Sequence, residues 1–261
     1  MNDTTKNTKN ILITGASSGL GAALAREYAR AGNVLHLQGR NTERLQKIAG
    51  ECKDLGADVH IKIADVTDDG AMQNWLSEAD KISPLDLVIA NAGISAGTGG
   101  VGEDSEQVKR IFATNINGVL NTIQPIIPSM TARGRGQIVI ISSLAGIRAL
   151  PSCPAYSASK AAVRYYGESL RGVLQGQGVG VSVVCAGYIK TPMTEVNNFP
   201  MPFIMSAKKA ARIIALGIGK NKGRISFPLA LYLPLWWISC LSPKLTDWVF
   251  SRLPAKTAGK S

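Results

Sequence analysis

The sequence predicts an α/β fold in which helices cover both faces of a doubly wound parallel sheet. Apolar segments of strand length alternate with segments of helical periodicity along the chain, which is typical of parallel sheets with helical crossovers. Several strand segments are almost continuously apolar, including residues 87–90 and 138–141, as expected for strands that are buried on both faces. The length of 261 residues allows one substantial core and is short for two full domains.

The predicted elements follow one another without a Pro/Gly/Ser-rich linker or an internal repeat. Strands are predicted near residues 10–14, 33–38, 58–63, 85–90, 136–142, 179–185 and 223–227. Helices are predicted between them, near residues 19–31, 41–55, 68–79, 105–130, 156–176 and 206–218. The chain therefore divides into a polar N-terminal tail (1–9), one α/β domain (10–227) and an apolar, basic C-terminal extension (228–261).

The overall composition bounds the environment of the protein and its partners. The net charge is +11, but residues 208–261 contain ten Lys and Arg residues against one acid, Asp247. The basicity therefore belongs to the C-terminal segment. The four cysteines have neither metal-ligand nor disulfide-framework spacing, so no metal site is predicted and a reducing compartment is favoured. The first ten residues contain no apolar signal segment, so a cytoplasmic protein is expected.

A glycine-rich turn follows the first predicted strand. The segment Thr14-Gly-Ala-Ser-Ser-Gly-Leu-Gly21 joins the apolar run 11–13 to a helical stretch. Its glycines allow the backbone to turn tightly and to approach a pyrophosphate bound at the helix N-terminus. This strand–turn–helix context favours a dinucleotide site over a loop with helix-capping serines. The predicted contact residues are Gly15, Ser17, Ser18, Gly19, Leu20 and Gly21.

A second motif places a phenol and an ammonium group one helical turn apart. Tyr156 and Lys160 occupy positions i and i+4 of a predicted helix, so their side chains share one face. A free tyrosine has a pKa near ~10, and a neighbouring cation lowers that pKa toward the range in which a general acid or base works. The spacing alone is also compatible with a solvated helix surface, so the other motifs must decide between the two interpretations.

The two motifs have further matching residues between them. Asn91-Ala-Gly93 follows the fourth predicted strand, Asn115 lies in the following helix, and Ser143 ends the fifth strand. The whole set, in this order, resembles the short-chain dehydrogenase/reductase family in its short, single-domain branch. The resemblance extends from about Ile11 to about Thr194. It implies a Rossmann-type fold and an enzyme that transfers a hydride between a nicotinamide cofactor and a carbonyl/alcohol pair.

The resemblance implies roles for four candidate catalytic residues. Tyr156 would exchange a proton with the substrate oxygen, and Ser143 would orient that oxygen with its hydroxyl. Lys160 would lower the pKa of Tyr156 and bind the nicotinamide ribose, so Tyr156 and Lys160 are also expected to contact the cofactor. Asn115 would hold a water that relays protons to Lys160; the alternative is that its side chain bonds to its own helix backbone.

Further cofactor contacts are implied near the adenine. Asp65 and Val66 follow the third predicted strand, and Asp65 resembles the acid of the family that contacts adenine. An acid at this position could instead serve the start of the next helix, where carboxylates are favoured. Asn91, Ala92 and Gly93 resemble the segment that packs beside the adenine ribose.

At the nicotinamide end, Ile189 and Thr191 correspond to the contacts that the family makes with the carboxamide. The sequence departs from the family just before them, since the usual Pro-Gly is Ala186-Gly187 here. Proline fixes φ and stiffens a turn. Its absence is expected to loosen this end of the pocket, which puts the contacts of Ile189 and Thr191 in doubt.

The end of the second predicted strand indicates which cofactor is used. An NAD site usually has an Asp or Glu there for the ribose 2′-hydroxyl, whereas an Arg accommodates the 2′-phosphate of NADP. This chain has Gln38-Gly39-Arg40, with no acid and with a guanidinium that can pair with a phosphate in bidentate fashion. We predict NADP(H), with NAD(H) as the alternative.

The C-terminal extension contains an uncharged stretch of seventeen residues, 225–241, which two prolines interrupt. About 20 unbroken apolar residues are needed to span a bilayer, so a transmembrane segment is not expected. Three interpretations remain: a lid over the substrate pocket, a contact between subunits, or a membrane contact. In the last, Tyr232, Trp236 and Trp237 would lie at headgroup depth and the basic residues would face anionic lipid. No nucleic-acid motif accompanies the charge, so no nucleic-acid partner is predicted.

The sequence therefore predicts an NADP(H)-dependent oxidoreductase that acts on a small, lipophilic carbonyl or alcohol, because the pocket segments 144–155 and 187–205 are mostly apolar. One alternative is a non-catalytic NADP(H)-binding sensor or scaffold, which would not need the four catalytic candidates. Another is an NAD-dependent alcohol dehydrogenase, against which Gly39-Arg40 argues. The long predicted helices 105–130 and 156–176 resemble those that pair family members, so a homodimer or tetramer is expected. The location would be cytoplasmic or peripheral on the inner face of a membrane.

Overall fold

The computed structural model describes residues 9–99 and 102–250. Its main sheet has seven parallel strands, which confirms the predicted fold class and places each predicted strand to within two residues. The strands are β1 (Asn10–Ile13), β2 (Val34–Gly39), β3 (Asp58–Ile63), β4 (Leu87–Ala90), β5 (Gly136–Ser143), β6 (Val179–Ala186), β7 (Ile189–Lys190), β8 (Met205–Ser206) and β9 (Arg224–Phe227). Of these, β7 and β8 pair with each other in a separate, two-stranded parallel sheet.

Helices connect the strands and cover the sheet. They are α1 (Gly19–Tyr28), α2 (Thr42–Asp54), α3 (Asp69–Ile82), α4 (Ser105–Phe112), α5 (Gly118–Ile123), α6 (Ile127–Ala132), α7 (Pro154–Leu174), α8 (Pro192–Glu195), α9 (Ala207–Gly219), α10 (Leu229–Ser239) and α11 (Pro243–Phe250).

The single helix predicted near 105–130 is interrupted in the structure. After α4 the chain forms a π-helical turn at Ala113–Asn117, then α5, then a 3₁₀ turn at Gln124–Ile126, and finally α6. Pro125 and Pro128 have no backbone N–H to donate, so the regular hydrogen-bond ladder cannot continue through them. The predicted helix is therefore a succession of short segments along one path.

The sheet order places a crevice in the middle of the molecule. The strands are arranged β3-β2-β1-β4-β5-β6-β9. The chain moves from β1 through β2 to β3 on one side, and it then returns to β4 on the other side of β1. In open α/β sheets, ligands bind outside the carboxyl ends of the strands at such a reversal. The glycine-rich turn after β1 and Asn91 after β4 both lie at this point.

Two apolar cores, one on each face of the sheet, hold the helices in place. Successive residues of β1 illustrate the division, since Ile11 and Ile13 pack in one core and Leu12 in the other, all fully buried. Side chains of α1, α2 and α9 complete the first core, and those of α3, α5 and α7 complete the second. Each fully buried side chain of this size contributes about 1.5–3 kcal/mol. Burial on both faces explains why these strands are continuously apolar in sequence.

The C-terminal extension continues on the surface beyond the edge strand β9. The inner side of α10 packs against Leu144, which follows β5, and against side chains of β6. Among the described residues, no helix is long and apolar enough to cross a membrane. Most of the predicted N-terminal tail (1–8) and three of the basic C-terminal residues (252, 256 and 260) lie outside the described residues, so the proposed division of the chain stays a prediction.

Candidate active site

A cleft of about 520 Å³ opens at the carboxyl ends of β1, β4 and β5. Every residue predicted to contact the cofactor lines this cleft, and so do three of the four candidate catalytic residues. These lining residues are Gly15, Ser17, Ser18, Gly19, Leu20, Gly21, Arg40, Asp65, Val66, Asn91, Ala92, Gly93, Ser143, Tyr156, Lys160, Ile189 and Thr191. The fourth candidate, Asn115, is fully buried and packs behind Gly93.

The glycine-rich turn adopts a conformation that side chains would block. Gly15 and Gly19 have φ values of +66° and +55°, which L-residues with side chains rarely adopt. A Cβ atom at Gly21 would lie 2.2 Å from the carbonyl oxygen of Gly15 and 2.5 Å from Nδ2 of Asn91. The turn can therefore close against the first turn of α1 only because these positions are glycine.

Three polar side chains hold this turn in place. The amide of Asn91 donates to the carbonyl oxygens of Thr14 (2.8 Å) and Gly15 (3.3 Å). In return, Thr14 Oγ1 accepts from the backbone N–H groups of Asn91 (3.1 Å) and Ala92 (3.2 Å). On the other side, Gln38 Oε1 accepts from the N–H of Gly15 at 3.0 Å. Asn91 therefore braces the turn as well as lining the cleft, whereas no sequence pattern marks the bracing roles of Thr14 and Gln38.

The adenine end of the cleft carries the residues that bear on cofactor choice. Arg40 is 66% exposed and forms an ion pair of 3.3 Å with Asp65. Burial by itself would raise the pKa of Asp65, but hydrogen bonds from Thr67 and the charge of Arg40 outweigh it and lower that pKa. Asp68, rather than Asp65, caps α3 by accepting from the N–H of Ala71. Asp65 therefore does not cap α3, which was the alternative role considered for it from the sequence.

At the end of β2, the backbone of Gly39 lies against the glycine-rich turn. A Cβ atom at Gly39 would lie 2.9 Å from Cβ of Ser17. Two further polar residues that the sequence analysis did not single out, Asn41 and Arg44, line the same end of the cleft. Asn41 caps α2 by accepting from the N–H of Arg44 at 2.8 Å, and the first turn of α2 contains Arg44 together with the acid Glu43.

Ser143, Tyr156 and Lys160 meet at the opposite end of the cleft. Ser143 ends β5, and its hydroxyl is hydrogen-bonded to the phenol of Tyr156 in the first turns of α7. The Nζ atom of Lys160 lies 5.8 Å from the centre of the Tyr156 ring. It donates to the carbonyl oxygen of Ile141 at 2.9 Å. The hydroxyl of the neighbouring Ser142 instead donates to the backbone carbonyl oxygen of Lys160 at 2.7 Å.

Burial shifts the pKa values of the phenol and the amine in opposite directions. Removal from water raises the pKa of Tyr156 to about 12, although the hydrogen bond with Ser143 acts to lower it. The same cause lowers the pKa of Lys160 to about 8. At neutral pH the phenol therefore keeps its proton and the amine is mostly charged. The expectation that Lys160 lowers the pKa of Tyr156 is therefore not met in this structure, because burial of the phenol dominates and the net shift is upward.

Asn115 lies in the π-helical turn after α4. Its Nδ2 donates to the carbonyl oxygen of Ile94 (2.9 Å) and to Oγ of Ser159 (3.0 Å), and its Oδ1 accepts from the N–H of Ile94 (2.8 Å). The side chain thus bonds to the segment after β4 and to α7, and none of these bonds goes to its own helix. Its predicted role in holding a water stays a prediction.

The segment after β6 closes the cleft. Ala186, which replaces the usual proline, is the buried last residue of β6. Beyond it, Thr191 caps α8, and its methyl group lies 3.2 Å from where a Cβ of Gly19 would be. Thr194 Oγ1 donates to the carbonyl oxygen of Ile189 at 2.7 Å. These bonds tie the segment together, and the predicted loosening by Ala186 stays a prediction.

Comparison of the whole sequence with known protein families identifies the family of this chain. The chain matches the family model described as short chain dehydrogenase over residues 9–200. The chain therefore belongs to the short-chain dehydrogenase family. An uncharacterized oxidoreductase of Myxococcus xanthus is 39% identical to this short-chain dehydrogenase over 246 residues, which cover 94% of this chain and 97% of that protein.

Two solved structures share the fold of this short-chain dehydrogenase. A short-chain dehydrogenase from Sphingobium yanoikuyae in complex with NADPH has a TM-score of 0.77, with 24% identity, and covers 97% of this chain and 99% of that chain. A 3-oxoacyl-[acyl-carrier protein] reductase from Brucella melitensis with bound NAD has a TM-score of 0.75, with 26% identity, and covers 87% of this chain and 92% of that chain. The protein is thus an oxidoreductase with a fold that binds a nicotinamide cofactor. The two neighbouring structures contain NADPH and NAD, respectively.

The cleft of this short-chain dehydrogenase fits such a dinucleotide on its own geometry. Ser18 precedes α1 without capping it, and the first turn of α1 contains no acidic residue. The N–H groups of that turn are therefore available to a pyrophosphate, which a helix N-terminus favours. At the other end, the buried Nζ of Lys160 has donors to spare for the hydroxyls of a ribose, since it makes one hydrogen bond among the described residues.

Another residue that the sequence analysis missed acts on the catalytic helix. Glu103 Oε2 accepts from the backbone N–H of Ala155 at 2.8 Å, in the first turn of α7. A carboxylate at a helix N-terminus stabilises the helix through its free N–H groups and its dipole. Glu103 therefore anchors the residue directly before Tyr156. No local signal marks it, because 52 residues separate the two partners.

Proposed function

We propose that the protein is an NADP(H)-dependent reductase of lipophilic carbonyl compounds. The observation that carries this proposal is the meeting of Ser143, Tyr156 and Lys160 at one end of a cleft, with an uncapped helix N-terminus and an arginine toward the other end. A nicotinamide dinucleotide bound there would supply or accept the hydride. The residues of the chain would bind it, orient the substrate and exchange the proton.

The proton chemistry is assigned to three side chains. Tyr156 keeps its proton at neutral pH, because burial raises its pKa to about 12, and it would donate that proton to the carbonyl oxygen of the substrate. Ser143, which is hydrogen-bonded to the same phenol, would hold that oxygen in place. The ammonium of Lys160 would stabilise the phenolate left behind. Asn115 would support a proton path to Lys160 through a water.

The preference for NADP(H) is supported by the charges around the 2′-position of the predicted adenosine. Gly39 offers no carboxylate to bind a 2′-hydroxyl, while Arg40 and Arg44 place two guanidinium groups at this end of the cleft. Asp65 is paired with Arg40, but a guanidinium has five donors and can hold a carboxylate and a phosphate together. The two structural neighbours contain NADPH and NAD, respectively, so the preference is argued from these arginines alone.

A lipophilic substrate is supported by the segments next to Tyr156. Tyr188 and Phe199 stack edge to face, with ring centres 6.2 Å apart. Met193 lines the cleft and is 40% exposed, so apolar surface faces the space where a substrate would lie. The Brucella melitensis neighbour is a 3-oxoacyl-[acyl-carrier protein] reductase, and a 3-oxoacyl group is a carbonyl compound of the same chemical class.

Two further parts of the proposal concern the alternatives. A sensor or scaffold that only binds the cofactor would not need a phenol, a hydroxyl and a buried lysine together, so an enzyme is favoured. We also propose that the protein forms a homodimer or tetramer, in which the segments α4–α6 and α7 make the contact between subunits. Analytical ultracentrifugation would test this oligomeric state.

The proposal is tested by NADPH oxidation with purified protein against paired lipophilic and polar ketones and aldehydes. Turnover is expected with the lipophilic members. In Tyr156→Phe it should fall by about 10²–10⁴-fold, with unchanged affinity for NADPH. Turnover by Tyr156→Phe at the native rate would refute the proton role. Saturable NADPH binding without turnover on any carbonyl would favour the sensor.

A further inference from the structure

The outer face of α10 lacks the polar residues that an exposed helix normally has. None of the eleven residues from Leu229 to Ser239 is charged. Four large apolar side chains on this helix are exposed, namely Leu229 (61%), Leu233 (50%), Trp236 (43%) and Trp237 (70%). Their spacing of three and four residues places them on one side of the helix. Single exposed apolar residues are ordinary, but a contiguous patch indicates a binding surface.

A basic groove adjoins this apolar patch. The groove has a volume of about 530 Å³ and lies between the end of α9 and the start of α10. Lys220 and Lys222 line it together with the exposed Leu216 and with Leu229. Among the described residues, neither lysine has an acidic partner within ion-pair distance. The groove therefore presents uncompensated positive charge directly beside the apolar patch.

We propose that this basic-apolar surface, formed by Lys220, Lys222, Leu229, Leu233, Trp236 and Trp237, docks on an anionic lipid bilayer. Indole rings favour the membrane–water interface, and lysines beside an apolar face are attracted to anionic headgroups. The helix would lie in the plane of the interface, with its apolar side chains among the lipids and the two lysines at the headgroups.

The charge of the segment selects a bilayer over a second copy of the chain. Residues 208–250 contain seven Lys and Arg residues and one acid. Two copies that met through this surface would bring like charges together, which is unfavourable, whereas an anionic surface attracts all of them. A lid over the substrate would use the inner side of α10, and that side already packs against Leu144 and β6. The outward side chains remain available for lipid.

Docking would also bring the substrate end of the cleft close to lipid. The inner side of α10 contacts Leu144, the residue after Ser143. Arg148 in the same loop donates to Thr246 of α11. A lipophilic substrate could therefore reach the site from the bilayer. The docking itself does not depend on the proposed reaction, and it is tested by binding alone.

Co-sedimentation of the full chain with vesicles tests the role of the lysines. The protein should pellet with phosphatidylcholine vesicles that contain phosphatidylglycerol, and it should stay in the supernatant with phosphatidylcholine alone. Each lysine near an anionic surface raises the partition coefficient about fivefold, so Lys220→Gln with Lys222→Gln should lower it about 30-fold. The matched control is Lys47→Gln with Lys53→Gln on α2, which packs on the same face of the sheet as α9 but toward the opposite edge, beside β2 and β3. It removes the same charge and should leave binding nearly unchanged.

Fluorescence quenching tests the apolar part of the same surface. Anionic vesicles of brominated phospholipid should quench the tryptophan emission of the native protein. Trp236→Ser with Trp237→Ser should lose most of this quenching and most of the pelleting. Leu55→Ser, at an exposed apolar position after α2 (52% exposed), should lose neither. Saturable binding of NADPH by each variant shows that it is folded.

Three results would overturn the proposal. The native protein could remain in the supernatant with anionic vesicles at low salt. The two lysine pairs could lower binding equally, which would mean that net charge alone attracts the protein. The tryptophan variant could abolish a concentration-dependent self-association without changing vesicle binding, which would assign the surface to a subunit contact. Failure of carbonyl turnover in an enzyme that still binds vesicles would count against the proposed function only.

Discussion

Replacement of Arg40 by alanine provides the sharpest test of cofactor choice. The Arg40 side chain is 66% exposed, and its ion pair with Asp65 measures 3.3 Å, so its loss should leave the core intact. A 2′-phosphate bound at this end of the cleft would lose its nearest guanidinium. The adenosine of NADH carries no such phosphate and would lose nothing comparable. Arg40→Ala is therefore expected to weaken NADPH selectively.

The magnitude follows from the exposure of the site. A hydrogen bond between charged groups contributes about 1.5–3 kcal/mol, whereas exposed ion pairs contribute only about 0–1 kcal/mol. A phosphate held at a partly exposed guanidinium should fall between these ranges, at about 1.4 kcal/mol, which corresponds to about tenfold in affinity. Removal of Arg40 also leaves the carboxylate of Asp65 unpaired beside the phosphate, which should increase the loss to about 30-fold.

The assay is a calorimetric titration of each variant with NADPH, NADH, 2′,5′-ADP and AMP, which gives the affinity for each nucleotide. The two nucleotides without nicotinamide isolate the adenine end and require no catalysis. Arg30→Ala, at an exposed arginine of the chain outside the cleft, controls for the loss of a positive charge. The reasoning is refuted if Arg40→Ala weakens NADPH and NADH equally. Asp65→Asn with Arg40→Ala should recover part of the NADPH affinity, since the repelling carboxylate is then absent.

Three further expectations address the turn, the titrating pair and the catalytic helix. Gly21→Ala places a Cβ 2.2 Å from the Gly15 oxygen, so the rise in melting temperature that NADPH causes should largely disappear in a thermal scan; an unchanged rise would show that the turn is not the dinucleotide site. The kcat/KM for carbonyl reduction should be flat below pH 8 and fall above it, because Lys160, with a pKa of about 8, loses its charge there while Tyr156, with a pKa of about 12, stays protonated. The kcat/KM for alcohol oxidation should rise over the same pH range. Profiles that run in the same direction for both reactions would contradict this assignment. Glu103→Ala removes the carboxylate that accepts from the first turn of α7 and should lower the free energy of unfolding by about 1 kcal/mol, measured by urea denaturation against Glu78→Ala at an exposed position of α3.

The sheet could be predicted from the sequence because both of its faces are buried. Each strand then needs a run of apolar residues, and the run is visible without any knowledge of its neighbours. The glycine-rich turn and the Tyr156–Lys160 pair could be predicted for a related reason. In each of them a local backbone geometry, a turn or a helix repeat, brings the functional groups together, so the spacing in sequence is the spacing in space.

The interactions that brace the site could not be predicted, because they join distant parts of the chain. Gln38 reaches from the end of β2 to the N–H of Gly15, and Glu103 reaches from a loop to α7. In sequence both are ordinary polar residues. The interrupted path between α4 and α6 was missed for a different reason, since apolar periodicity continues through Pro125 and Pro128 although the hydrogen bonds do not.

The π-helical turn shows how these distant contacts build the catalytic end of the cleft. Asn115 lies in that turn, and its side-chain amide bonds to both Ile94 and Ser159; π-helical turns of this kind are frequent at functional sites. Its Oδ1 and the Nζ of Lys160 then lie 3.2 and 3.3 Å from where a Cβ of Gly93 would be. Any side chain at position 93 would therefore press on the amide and on the ammonium at once. Gly93 belongs to the same arrangement as Asn115 and Lys160, because the space that it leaves empty allows the lysine to reach the cleft beside Tyr156.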